Sequence, residues 1–469
     1  MQYKSKKNFP KNFLWGASIS AYQAEGASAK DGKLASIIDK YQHPEEVANF
    51  EVASDFYHHY KEDIKLFAEL GLKSFRFSIA WTRIVKEDLL TPNQKGINFY
   101  HNVINECIKY KIEPIVTMYH FDLPYSLDQK GGWKNRETIT FFLEYVKIIF
   151  KEYGNKVNYW LTINEQNTMI LHPGAIGIPE SGYLPTKKEL YQMNHHLLLA
   201  QAQVFKLYQD LKLPGKIGPA VNLTAMYQGT AHPEDAIAAH NWETLRGWSF
   251  LDVAVRGKYN YLFETYLHDR DWYPECLPED EIILKAAKPD FIAINYYSTA
   301  TITASKNDGT DVSARAGDQQ IMVGEEGVYR AYDNPYVDKT PYGWVVDPVG
   351  LRLTLRKLYD RYQLPILITE NGYGSPDELD EEGRINDIER IDYLKRHIEA
   401  IQDAITDGVD VFGYQPWSAI DVVSTHQGFN KRYGFIYINR TDKDLKELKR
   451  IKKESFYWYQ DVIKHNGVN

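Results

Sequence analysis

Eight short apolar runs, each closed by turn residues and most followed by a stretch of helical period, govern what this chain can fold into. They are FLWGASIS (13–20), FRFSIAW (75–81), PIVTMYH (114–120), VNYWLTINE (157–165), KIGPAVNL (216–223), DFIAINYY (290–297), PILITE (365–370) and VFGYQPWSAI (411–420). Segments 51–70, 97–111, 136–153, 187–210, 348–363 and 387–406 carry apolar residues at three- and four-residue spacing, which predicts helices between the runs. Alternation of strand and helix means a parallel sheet, and eight such units predict an α/β fold of the closed (β/α)8, or TIM-barrel, kind. A length of 469 residues alone is compatible with about three domains. The lack of a linker, low-complexity run or composition break favours one catalytic domain over residues 1–469. Residues 300–345, rich in Gly, Asp, Ser and Tyr, read as a loop insertion over the barrel mouth.

Composition removes several function classes. No segment approaches the ~18 apolar residues of a membrane span. The basic stretch MQYKSKKNFPKN leads into FLWGASISAY, too short and polar for a signal-peptide core, so a cytoplasmic protein with no membrane partner is expected. Acidic residues number 63 against 55 basic ones, a net charge of −8, which argues against a nucleic-acid partner. Cys107 and Cys276 stand far apart without CxxC spacing and read as two reduced thiols in or near the core. The pairs His58–His59 and His195–His196 are adjacent, not i, i+4, so they read as structural and no metal is implied. GYGSPD (372–377) puts Asp377 where a dinucleotide fingerprint needs its third Gly, and no cofactor is implied. Aromatic residues make up 14% of the chain, which suits stacking on sugar rings but serves cores first.

A parallel barrel carries its active site at the C-terminal ends of its strands. Those ends are polar here: His120 on the third run, Asn164 and Glu165 on the fourth, Asn295 and Tyr297 on the sixth, Glu370 and Asn371 on the seventh, with Trp417 on the eighth. Arg76 lies inside the second run and Gln23 follows the first. A single polar strand end is often a surface residue, but this many converging on one mouth make that a poor account. Glu165 and Glu370 are the pair suited to chemistry. Cleaving a glycosidic bond takes one carboxyl as acid and a second carboxylate as nucleophile or base, at a separation that sequence does not give. Arg76 is the cation available to Glu370, and Tyr297 a hydrogen-bond donor to it.

FLWGASISAYQAEGA, YHFDLP, LTINE, ITENG and KRYGFIYI, in this order across the whole chain, resemble glycoside hydrolase family 1, the family of retaining β-glucosidases. The resemblance implies Glu165 as acid/base and Glu370 as nucleophile. It places Gln23, His120, Asn164 and Trp417 on positions that bind the sugar of the first subsite, and Asn295 and Tyr297 on positions that support the nucleophile. Trp344 falls where the family often has an aromatic platform for the leaving group. Phe121 departs from the Trp often found beside the histidine.

The stretch DVVSTHQGFNKRYGF (421–435) bears on the substrate. Relatives acting on unphosphorylated glucosides typically carry a glutamate in this loop, and none lies between Trp417 and Phe435. Ser424, Lys431 and Tyr433, at S-x6-K-x-Y, resemble the phosphate-binding pattern of the 6-phospho-β-glycosidase branch. A sugar 6-phosphate brings close to two negative charges, which a carboxylate repels and an ammonium with two hydroxyls binds. The plainer reading makes Lys431 and Arg432 solvated loop charges and Tyr433 core. SIAWTRI and WVVDPVGLR also look more like the phospho branch, and Thr425, where galactoside-preferring members have Trp, favours the gluco configuration. The expectation is a retaining 6-phospho-β-glucosidase acting on a small-molecule phosphorylated β-glycoside such as cellobiose 6-phosphate or an aryl β-glucoside 6-phosphate. A 6-phospho-β-galactosidase or dual-specificity enzyme, an unphosphorylated β-glucosidase and a non-catalytic phosphosugar-binding protein are the alternatives. A homodimer is left open.

Overall fold

The computed structural model describes residues 3–40, 45–173, 184–306 and 324–468. All eight runs become strands: β1 (Leu14–Ser18), β2 (Ser74–Ser78), β3 (Glu113–Tyr119), β4 (Tyr159–Asn164), β5 (Lys216–Asn222), β6 (Ile292–Asn295), β7 (Ile366–Glu370) and β8 (Val411–Tyr414). Each pairs in parallel with its neighbour in sequence, and β1 pairs with β8, which closes the barrel. The helices that follow the strands in turn are α1 (Phe56–Leu70), α2 (Gln94–Lys109), α3 (Glu137–Tyr153), α4 (Lys187–Asp210), α5 (Ser249–Arg256), α6 (Pro348–Tyr362), α7 (Ile388–Asp407) and α8 (Glu454–His465). Local chemistry fixes their starts: Thr186 and Glu189 form a reciprocal capping box at α4, and Asp347 caps α6 ahead of Pro348.

The core has two compartments. Ile115, Leu161, Ala220, Phe291, Ala293 and Leu367, contributed by or beside consecutive strands, fill the barrel interior with Leu14 and Phe412 against them. A larger set, including Phe67, Phe75, Trp160 and Leu355, lies between sheet and helices. Burial on both faces explains why the strands read as continuous apolar runs rather than alternating ones.

Strict alternation fails at two places that matter. The register of β4 against β5 shifts between Leu161 and Asn164, and that of β7 against β6 shifts between Ile368 and Glu370. Leu161 and Leu367 point into the barrel, so alternation would send the residues three positions on, Asn164 and Glu370, to the outer face. The irregularities turn both back into the mouth, as bulges beside active sites do.

Some expectations need correction. The eighth run was expected to extend to 420 and the first to 20, but the strands end at Tyr414 and Ser18. Pro416 has no N–H for a ladder and only its carbonyl is used, accepting from Ser18 N at 2.9 Å. Cys107 is buried, whereas Cys276 is exposed rather than in or near the core. Of the stretch 300–345, residues 307–323 lie outside the described residues; the remainder contains the short strands Ala300–Thr303, Arg330–Ala331, Asp338–Lys339 and Val345–Val346. Among the described residues no helix is long and apolar enough to cross a membrane.

Candidate active site

Arg76, fully buried in β2, is the centre of the mouth. Its planar fork donates in three directions: Nε to Thr117 Oγ1 at 2.8 Å, Nη1 to Glu370 Oε1 at 2.5 Å and Nη2 to Asn164 Oδ1 at 2.6 Å. One side chain thus ties the ends of β3, β4 and β7 together, a task the single-point ammonium of Lys does not perform. Glu370 also accepts from Tyr297 Oη through Oε2 at 2.7 Å. A guanidinium on one oxygen and a phenol on the other complement a carboxylate.

Glu165 sits one residue beyond β4 with a left-handed φ of 44°, its N–H bonded to Ala220 O at 2.8 Å. Its Oε1 accepts from Asn295 Nδ2 at 2.8 Å and from Asn222 Nδ2 at 3.2 Å. No cation pairs with it among the described residues. Burial first, and the negative charge of Glu370 second, push its carboxyl up to about 7. Asn295 ties Glu165 to the neighbouring strand ends, because the same Nδ2 reaches Asn164 Oδ1 at 3.1 Å and its Oδ1 accepts from Thr369 at 2.7 Å. Asn164 Nδ2 meets His120 Nε2 at 3.1 Å, and burial next to Arg76 holds that imidazole well below its ordinary value, hence neutral.

These groups open onto a cavity in the barrel mouth. Gln23, His120, Asn164, Glu165, Tyr297, Trp344, Glu370, Trp417, Ser424 and Tyr433 all line it, joined by Tyr22, Phe121, Thr425, His426 and Gln427. Arg76 and Asn295 stand directly behind the wall. Gln23 is fixed by Ser20 at 2.7 Å and by Val423 O at 2.9 Å. Asn222 was not anticipated from the sequence, although it ends β5 and the strand-end rule applied there would have found it.

Lys431 takes a position of its own. It does not line the cavity; its ammonium lies 3.4 Å from the ring centroid of Trp344, 4.6 Å from that of Tyr342 and 5.6 Å from that of Tyr433. Gly374 leaves room for the stem, since a Cβ there would come within 2.6 Å of Lys431 Cε. Neither Lys431 nor Arg432 is a solvated loop charge, at 1% and 4% exposure. Arg432 Nη1 bonds Asp421 at 2.9 Å, and Asp421 also accepts from Lys453 at 2.7 Å and from Gly434 N at 2.9 Å. The segment 431–434 is thereby pinned to the barrel without using Arg76.

Two buried carboxyls of different environment, a neutral imidazole and aromatic walls in one barrel mouth are what cleavage of a sugar bond requires. A family model described as glycosyl hydrolase family 1 matches residues 5–468. The chain belongs to glycosyl hydrolase family 1. Among curated proteins, this family 1 chain is 40% identical over 477 residues to the aryl-phospho-beta-D-glucosidase BglC of Bacillus subtilis, covering 100% of this chain and 99% of that one. It is 41% identical to the 6-phospho-beta-glucosidase of Clostridium longisporum, with 98% of each covered. Among solved structures, the family 1 β-glucosidase of Thermotoga maritima superposes with a TM-score of 0.88 at 33% identity, covering 99% of this chain and 100% of that one. The other candidate ligand sites dissolve: His195 bonds Tyr259 at 2.9 Å and Asp280 at 2.8 Å, and His196 bonds Trp133 O at 2.8 Å, as structural histidines do.

Proposed function

We propose that this chain hydrolyses 6-phospho-β-D-glucosides to glucose 6-phosphate and the free aglycone by double displacement. In this reading Glu370 attacks the anomeric carbon while the bond to the aglycone oxygen breaks. The electron pair stays on that oxygen, which takes the proton of Glu165. The glycosyl ester on Glu370 is then cleaved by water, whose proton Glu165 accepts. The environments support these roles: Glu165, lifted to about 7, keeps a proton at neutrality, whereas Glu370 faces Arg76 and Tyr297. Forming the ester removes the charge of Glu370, one of the two causes that raise Glu165, so the acid of the first step becomes the base of the second. Neutral His120, Gln23, Asn164 and Trp417 supply polar and aromatic surface for the sugar.

The observation that carries the phosphate is the wall from Ser424 to Tyr433. It faces the cavity of the two glutamates, contains no Asp or Glu, and holds Lys431 against Trp344, itself a wall residue. The electron-rich faces of the rings attract a cation held there. The names of the relatives from Bacillus subtilis and Clostridium longisporum support the same substrate class. The test is kcat/KM for p-nitrophenyl β-D-glucoside with and without its 6-phosphate, on the wild type and Lys431→Ala. One charge-assisted bond is worth about 1.5–3 kcal/mol, so the preference for the phosphorylated substrate should fall roughly ten- to hundredfold in the variant. Equal wild-type rates on the two substrates would overturn the reading.

A further inference from the structure

A second cavity, sharing no lining residue with the first, lies beside the partners of Glu165. Asn222, which bonds Glu165, and Thr168, whose hydroxyl favours the charged form of that carboxyl, both line it. An acid delivers its proton to the departing oxygen, so with Glu165 as the acid a leaving group directed past Asn222 and Thr168 enters this space, whereas Trp344, the family's platform position, lines the first cavity. The inference rests on that part of the proposed mechanism.

Its far wall is unusual. Residues Thr244–Trp248 form a π-helical turn, a rare conformation associated with functional positions, and it presents Arg246 and Trp248 to the cavity. Asn167, two residues after Glu165, donates to Arg246 O at 3.1 Å and so ties this turn to the helix that Glu165 opens. The guanidinium lies 5.7 Å from the ring centroid of Trp242, with Nη1 directed at Tyr329 Oη at 3.4 Å and Nη2 at His172 Nε2. Burial and the guanidinium hold that imidazole far below its ordinary value, so His172 orients the arginine as a neutral acceptor and leaves its charge uncancelled. Glu243, which also lines the cavity, pairs with Lys357 at 2.5 Å, and Glu325 accepts from Tyr266. Among the described residues no carboxylate forms an ion pair with Arg246.

We propose that Arg246 is a specificity-determining residue of this second cavity, selecting aromatic aglycones that carry a carboxylate. Trp242 and Trp248 line the cavity as aromatic surface, and the planar fork suits a carboxylate held in two bonds.

The test compares 4-carboxyphenyl 6-phospho-β-D-glucoside with its methyl ester on the wild type, Arg246→Met and Arg246→Lys. The quantity read is the acid-to-ester ratio of kcat/KM, in which any general loss from the substitution cancels. Intrinsic leaving-group differences cancel when that ratio is compared across variants. The expected result is a ratio roughly tenfold lower in Arg246→Met, carried by KM, and partly restored in Arg246→Lys. An unchanged ratio in Arg246→Met would overturn the proposal. Should the wild type cleave these aglycones only from unphosphorylated glucosides, the phosphate reading fails, and the same ratio on the unphosphorylated pair still decides the role of Arg246.

Discussion

The acid's dependence on its partner's charge gives the sharpest test of the mechanism. Glu165 is active when protonated, so kcat/KM should hold below its midpoint and fall as pH rises through about 7. By pH 8 only about a tenth of the acid form remains, an approximately tenfold loss from the plateau. Replacing Glu370 with Gln removes the second cause of the raised value and leaves the first, burial, in place. Two unit charges about 5.5 Å apart at an effective dielectric of 20 repel by about 3 kcal/mol, worth about two pH units. Arg76, bonded to Glu370, cancels part of that field, so a midpoint about one pH unit lower is expected for Glu165 in Glu370→Gln. Because this variant does not turn over, the titration is followed by carboxyl 13C NMR or infrared difference spectra. A midpoint within about 0.3 units of the wild type would show that burial alone sets the acid, and the coupling argued above would be wrong.

Two further substitutions probe the scaffold of the site. Arg76→Met leaves Glu370 buried beside Tyr297 without a cation and should cost about 3–5 kcal/mol in urea unfolding at pH 7; a loss below about 1 kcal/mol would refute the fork's structural role. Asp122, which burial pushes up to about 7, has an Oδ2 without a hydrogen-bond partner among the described residues. Its contribution to stability is present at acid pH and is lost as pH rises through about 7. Asp122→Asn should therefore gain on the wild type by on the order of 4 kcal/mol between pH 4 and pH 8, most of it by pH 7, measured by thermal melts, and parallel curves would contradict this.

Much of the architecture was legible because both of its periods are written in the chain. Apolar runs marked all eight strands, and three- and four-residue spacing marked helices such as 187–210, which matches α4 residue for residue. The proposed catalytic pair was legible because carboxylates stand at apolar strand ends. What was not legible lies where local rules are overridden by neighbours. The bulges that turn Asn164 and Glu370 inward depend on pairing with β5 and β6 and leave no mark in the strands' own residues. Pro416 did signal that the eighth strand ends early, but the apolar residues after it hid the signal. Lys431 was readable as a charge near Ser424 and Tyr433, whereas its seat on Trp344 joins positions 87 residues apart (431 minus 344) through the fold. Arg246 belongs to a π turn whose spacing matches neither period, so it escaped notice.

The anchoring of residues 431–434 has a consequence for how such a protein changes. Arg76 braces the reacting carboxyls from within the barrel, while Asp421, Arg432 and Lys453 brace the sugar-facing wall from behind the last strand. The two frameworks share no side chain. In the proposed mechanism substrate choice is therefore an interchangeable part bolted to a fixed engine: rewriting one loop would meet a new sugar without disturbing the machinery proposed to break the bond.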